Sequence, residues 1–392
     1  MAFNGVDYFA IDELLTDEER MVRDTFRRFV DEELMPHIGQ HFRHGTFPKD
    51  LPRRLGALGA LGASLTGYGC AGLGPNAYGI IMQELERCDS GLRSFASVQG
   101  SLVMYPIHAY GSDAQKERWL PAMARGEAIG CFGLTEPDFG SNPGGMLTNA
   151  KRVGDRWVLN GEKRWITSGG LADVAVVWAR AHDGDGEPAI RGFLVPRGTD
   201  GFTTRDIEGK FSLRASVTSE LIFQDCALPL DAVMPGATGL RGPLGCLNQA
   251  RFGISWGVIG AAMACYDEAL NYTRDRKQFS RPLAGYQLVQ QKLVDMLEDI
   301  TSAQLLVWRL GRLKEAGKAR PQQVSMAKRH NVRIALHAAR TARDLLGANG
   351  VTDEYQCGRH MCNLESVFTY EGTDHMHTLI MGQDITGLSA FE

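Results

Sequence analysis

The sequence predicts an α+β fold laid out as a helical part, a β part and a second helical part, and three observations predict it. The first third carries apolar residues at helical spacing, and the middle switches to short β-rich pieces divided by turn signals. From about Gly242 the helical period returns. The implied domain limits are residues 1–129, 130–240 and 241–392.

Thr16, Asp17, Glu18 and Glu19 form a capping box, followed by Val22, Phe26, Phe29 and Val30 on one face, so a helix starts there. Segments to about residue 128 keep that character, broken by Gly and Pro clusters such as Gly72 to Pro75. The β part consists of Trp157 to Leu159, Lys163 to Ile166, Val174 to Ala179, Arg191 to Val195 and Glu220 to Phe223, with Asn160-Gly161 reading as a turn. Farther on, Leu288, Val289, Leu293, Met296, Leu297, Ile300 and Ala303 make one stripe, and Pro321 opens a helix expected to run to Gly347. Long helices with apolar residues on more than one side predict burial against a neighbouring subunit, hence an oligomer.

Composition narrows the classes. Of 392 residues, 44% are hydrophobic and 22% charged, which excludes disordered and fibrous chains and leaves room for two or three cores. The net charge of -4, with Lys and Arg dispersed, offers no footprint for nucleic acid. Apolar runs such as Val174 to Ala179 stop far short of the roughly 20 residues of a membrane span. The first 20 residues hold six acidic side chains and no basic opening run, so no secretory signal is expected and a cytoplasmic location is. Eight scattered cysteines without a Cys-x-x-Cys pair predict reduced thiols. Cys357, His360 and Cys362 lack a structural zinc spacing, and no metal is expected.

Gly67-Tyr68-Gly69-Cys70-Ala71-Gly72 has the spacing of a dinucleotide fingerprint, but the glycine-broken run before it is no buried strand, and a plain loop is expected. Thr369-Tyr370-Glu371-Gly372-Thr373 sets a carboxylate among apolar and aromatic neighbours, next to a glycine that permits close approach of a ligand. Taken alone, it reads more readily as a helix C-terminus with a solvated Glu.

Other segments change that balance. Phe132-Gly133-Leu134-Thr135-Glu136-Pro137 with Gly140-Ser141, then Trp165-Ile166-Thr167, then Arg274-Asp275-Arg276-Lys277-Gln278-Phe279, then Tyr370-Glu371-Gly372-Thr373 follow one another in this order. The set resembles the acyl-CoA dehydrogenase family across essentially the whole chain. The resemblance implies a helical domain, a seven- to eight-stranded β-domain and a C-terminal four-helix domain, in a homotetramer with one FAD per subunit. It implies that Phe132, Leu134, Thr135, Trp165, Ile166 and Thr167 cradle the flavin, with Thr373 and Phe391 as further contacts. Arg276, Phe279, Gln287, Asp344, Leu345, Leu346, Gly347 and Ala348 match the positions that hold the rest of the dinucleotide across a subunit interface. Ser141, Leu244 through Arg251, Tyr370 and Gly372 would line the acyl-CoA site.

Glu371 is the implied base. A thioester α-proton is too weak an acid for a carboxylate with a pKa near 4.3, so the site must raise the base and stabilise the enolate. By resemblance the Glu371 N-H is one donor to the thioester oxygen, and an electron-transferring flavoprotein takes the electrons.

A sharper likeness is to the glutaryl-CoA dehydrogenase branch, carried by Glu86 through Ser94, Ser97-Val98-Gln99, Lys210 through Ser216, and Asn363-Leu364-Glu365. It implies that Arg93 and Ser94 hold the distal carboxylate of a five-carbon diacid, with Glu86 tuning them, since a guanidinium fork matches a carboxylate. The product would be crotonyl-CoA with loss of carbon dioxide. The chain departs from the family's usual pattern at Asn142, Ser280, Ala348 and Asp374-His375. That leaves open another diacid substrate and oxidation without decarboxylation, and an oxygen-using oxidase of this fold is a separate alternative that motifs do not distinguish. A non-catalytic CoA-ester binder is disfavoured by Glu371, and a metal enzyme built on Asp374, His375 and His377 competes with a plain helix start.

Overall fold

The computed structural model describes residues 3, 5–184 and 186–391. Thr16 caps α1 (Asp17–Phe29) in both directions: its hydroxyl accepts from Glu19 N at 3.2 Å, and the Glu19 carboxylate accepts from Thr16 N at 2.9 Å. Then come α2 (Met35–His44), α3 (Leu51–Ala57), α4 (Pro75–Cys88), α5 (Ser90–Ser97), α6 (Tyr105–Tyr110) and α7 (Asp113–Ala124). The fingerprint-like glycines form the loop between α3 and α4, with φ of +79°, +82° and +68° at Gly67, Gly69 and Gly72. A helix rather than a strand leads into them, so no dinucleotide turn forms there.

The middle part is one seven-stranded sheet of β1 (Gly130–Gly133), β2 (Asn149–Val153), β3 (Arg156–Thr167), β4 (Val174–His182), β5 (Ala189–Pro196), β6 (Phe202–Asp206) and β7 (Thr218–Pro229). The order is β1-β4-β2-β3-β7-β6, with β5 also paired to β4. β1 and β2 both run parallel to β4, against its first and last residues respectively, and β5 pairs antiparallel along nearly its whole length.

Asn160-Gly161 is not a turn. It lies inside β3, which stays paired to β2 up to Asn160 and to β7 on either side, so the extra freedom of Gly161 is spent on a bulge. Gly161 has φ +144°, and a Cβ there would strike Thr148. A second register shift between Lys163 and Ile166 contains Trp165, whose φ is +63°.

The last part opens with α8 (Arg241–Asp275), a short hairpin of β8 (Lys277–Gln278) and β9 (Arg281–Pro282), then α9 (Gln287–Glu315), α10 (Pro321–Leu345), α11 (Cys357–Thr369) and α12 (Asp374–Thr386). α10 stops at Leu345, before the expected Gly347, where the chain tightens into a 3-10 turn over Gly347–Val351. Of the predicted α9 stripe, Leu293, Met296, Ile300 and Ala303 are buried, whereas Leu288 is 76% exposed.

α8 is the axis against which α4, α9 and α10 pack. Gly253, Gly257 and Gly260 on α8 and Gly79 on α4 let these two helices approach closely. A Cβ at Gly260 would enter the Gln83 carbonyl, and one at Gly257 would enter the Glu86 carboxylate. That closeness buries α4 almost completely, Glu86 included, and sets up the site.

Candidate active site

The chain between α11 and α12 carries Tyr370, Glu371 and Gly372. Glu371 sits at φ +52°, a region that disfavours a residue with a Cβ, and Gly372 follows at +95°. A Cβ at Gly372 would crowd His377 Nε2 and an Arg251 nitrogen, at 3.0 and 3.2 Å. Arg251, from α8, donates from Nε to the Glu371 carbonyl oxygen at 2.7 Å. The Glu371 N-H makes no hydrogen bond to other backbone or side-chain groups among the described residues, and Oε2 of its carboxylate is shut from water without a partner.

Burial therefore dominates this carboxyl group. It pushes the pKa up to about 7, against the opposing pull of Arg93, Arg251 and Lys328. A base in that range accepts a proton more readily than an ordinary carboxylate.

Beside it, Arg93 of α5 and Glu86 of α4 form an ion pair with both side chains wholly buried, at 2.5 Å from Nε to Oε2. Arg93 Nη2 also reaches the Tyr370 hydroxyl at 2.5 Å, and its guanidinium carbon lies 5.7 Å from the Tyr370 ring centroid. Burial works against the Arg93 charge, but Glu86, Tyr370 and Glu371 together outweigh it and hold the guanidinium protonated. Nη1 is left over, buried and unpartnered. An unpaired charged donor in such a place is costly unless something fills it. Ser94, buried next to Arg93, interacts with the Tyr370 hydroxyl, and burial raises the Tyr370 pKa to about 12.

Glu86, Arg93, Ser94, Tyr370, Glu371, Gly372 and Arg251 thus meet in one cluster. Ser141 lies in the exposed loop before the Pro143–Gly145 turn, and Leu244 is 41% exposed in the first turn of α8. Two members escaped sequence reasoning. Tyr78 of α4 is buried, hydrogen-bonded to Ser101 at 2.9 Å, and feels the charges of Arg93 and Glu371. Lys328 of α10 is 1% exposed and reaches the carbonyls flanking Glu371.

A second group gathers where β1 meets β3. Phe132 and Leu134 are buried, Thr135 accepts from Arg164 N at 2.9 Å, and Lys163 ties the Leu134 carbonyl to the Glu136 carboxylate. Next to buried Ile166, Trp165 turns its indole outward at 56% exposure. Thr167 ends the strand. Thr373 is the N-cap of α12, accepting from Met376 N at 3.1 Å.

The third group clusters at one end of the helical bundle. Arg276 closes α8, Gln287 opens α9, and Asp344 near the end of α10 is paired with Lys292 of α9 at 2.5 Å. Asn349 reaches Tyr272 at 3.0 Å. Leu345 and Leu346 are buried, while Arg276, Gln287, Asp344, Gly347 and Ala348 are exposed and Phe279 is 92% exposed. Phe391 stands on the tail beyond α12, half exposed.

Residues 16–127, 131–226 and 237–386 match, in turn, the N-terminal, middle and C-terminal domains of acyl-CoA dehydrogenase. The chain belongs to the acyl-CoA dehydrogenase family. Within it, the chain is similar to a glutaryl-CoA dehydrogenase from Mycobacterium smegmatis solved in complex with FADH2: 53% identity, 98% of each chain covered and a TM-score of 0.96. A second structure of glutaryl-CoA dehydrogenase from that organism gives 56% identity, 97% of this chain and 98% of that one covered, and a TM-score of 0.95. The human mitochondrial short-chain specific acyl-CoA dehydrogenase is 36% identical over 94% of this chain and 90% of its own length.

Proposed function

We propose that the chain oxidises and decarboxylates glutaryl-CoA to crotonyl-CoA and carbon dioxide, with FAD as cofactor, Glu371 as base and an electron-transferring flavoprotein as acceptor. The observation that carries the substrate is the spare Nη1 of Arg93, a buried cationic donor left unpartnered beside the base. A terminal carboxylate would complete that fork, whereas an uncharged acyl chain would leave it unsatisfied. Similarity to the Mycobacterium smegmatis enzyme supports the same reading.

The residues at the β1–β3 junction fit a flavin. Trp165 presents a flat, largely exposed indole on an outward-turned bulge, followed by buried Ile166 and half-buried Thr167, while buried Phe132 and Leu134 and half-buried Thr135 lie in and just after β1. Arg276, Phe279, Gln287 and the Asp344 to Ala348 segment would hold the rest of the dinucleotide, with Thr373 and Phe391 as further contacts. When bound, FAD supplies a two-electron acceptor for the substrate's β-hydrogen as hydride.

The protein's own part is geometric and electrostatic. Arg93 and Ser94 bind the distal carboxylate, and Glu86 keeps Arg93 charged and aimed. Ser141, Leu244 and Arg251 border the path of the thioester. The free Glu371 N-H donates to the thioester oxygen as negative charge develops there, an effect on the order of 3 kcal/mol per donor. Glu371 takes the α-proton. In the resulting glutaconyl thioester, the bond to the carboxylate carbon breaks and its electron pair enters the conjugated thioester. Protonated Glu371 then returns its proton to the terminal carbon.

Turnover with glutaryl-CoA and butyryl-CoA, using an artificial acceptor and then oxygen, tests the reading. Glutaryl-CoA should be strongly preferred, with little oxygen consumed. Equal rates on both would remove the diacid assignment, and rapid oxygen uptake would make the protein an oxidase.

A further inference from the structure

Lys328 is nearly inaccessible, yet its ammonium forms no ion pair among the described residues. Nζ donates instead to two backbone oxygens, that of Gly372 at 2.9 Å and that of Tyr370 at 3.2 Å. Between them, the Glu371 oxygen is taken by Arg251 from α8. Three successive carbonyls are therefore held by two cations from two helices. They straddle the place where the backbone is least at ease, Glu371 at φ +52°. An ammonium buried in this way needs its hydrogen bonds, and a strained turn needs contacts that over-determine it.

We propose that Lys328 is a positioning residue for the reaction proposed above: by gripping the carbonyls on both sides of Glu371, it locks the base in its left-handed turn. In that turn the peptide N-H stays free and the carboxyl faces Arg93.

The charge has a second effect. The groups facing Lys328 are Glu371 in the turn, Arg251 on α8, Arg93 on α5, and Asp374 and His377 on α12. Burial, aided by Lys328 and Arg251, pushes His377 down to about 3, so it is neutral. Burial also brings Lys328 itself down to about 7, with Glu371 pulling the other way. Lys328 is thus one of the cations restraining the upward shift of Glu371.

The test is an infrared titration of the Glu371 carboxyl in the holoenzyme, its band assigned by its loss in Glu371→Gln, for wild type, Lys328→Met and Lys328→Gln. Glutaryl-CoA kinetics are measured on the same proteins. Lys328→Met should move the midpoint up by a unit or more, tenfold in proton affinity, and lower kcat at least thirtyfold with KM changed less than threefold. Lys328→Gln keeps donors but no charge, so it should share the shifted midpoint while recovering most of kcat. A Lys328→Met protein with wild-type midpoint and kcat would overturn the proposal. If that variant does not fold, an unshifted midpoint in Lys328→Gln overturns it instead. Should wild type turn over no acyl-CoA ester, the functional reading fails, while the infrared midpoints still decide the role of Lys328.

Discussion

At the residue scale, the account rests on two buried groups whose environments both favour the protonated form: a carboxyl made more basic and a guanidinium kept charged. Glu371 lies at about 7, so its active, deprotonated form is lost below that pH. The free-enzyme kcat/KM profile should therefore fall about tenfold per unit on the acid side of 7. A limb near the ordinary carboxylate range would contradict the burial argument. Glu371→Gln should lose roughly a hundredfold or more of kcat, at the scale of general-base catalysis, while glutaryl-CoA binding followed by calorimetry persists. Arg93→Lys keeps a charge but not the fork, and should cut the glutaryl-CoA to butyryl-CoA preference by about ten- to a hundredfold in competition assays. Sequence made Glu371 and Arg93 legible because each stands in a distinctive run of neighbours. Lys328 was not legible in the same way: it is followed by Arg329 and His330, and such a run reads as a solvated face. Its spacing of four from both Val324 and Val332, which are buried on the same helix, was the available signal.

Elements explain how those residues come to be buried at all. α4 and α8 approach through glycines, and Gly257 leaves the space that the Glu86 carboxylate occupies. Gly257→Ala should destabilise the fold by about 1–3 kcal/mol in denaturant unfolding and weaken glutaryl-CoA binding with it, because the added methyl displaces the partner of Arg93. Unchanged stability would mean that the two helices part without penalty. The periodicity that revealed the helices was blind to this, since spacing reports which face is buried and not how near the neighbour lies. β3 shows the same limit from another side. Asn160-Gly161 carries a turn signature, but pairing to β2 and β7 overrides it and yields a bulge, and the second bulge turns Trp165 outward. A local signal cannot register a partner such as β7, whose Phe223 pairs with Gly161 from about 60 positions along the chain.

At the scale of the whole molecule, the helical, β, helical layout was readable from the change of apolar period alone. The exposure left on the bundle was not. Leu288 and Phe279 are 76% and 92% exposed, at the same end as Arg276 and Gln287, and Ile385 on α12 is 80% exposed. We propose that subunit contacts cover these surfaces and complete the dinucleotide site. Light scattering should accordingly give the mass of four 43.0 kDa chains, and dilution to monomer should release FAD. The most direct measurement is a single anaerobic turnover: glutaryl-CoA is mixed with the oxidised holoenzyme, the visible flavin band is followed, and carbon dioxide and crotonyl-CoA are assayed. The account predicts bleaching with both products, and neither in Glu371→Gln. Bleaching without carbon dioxide, or bleaching only with an uncharged acyl-CoA, would contradict it.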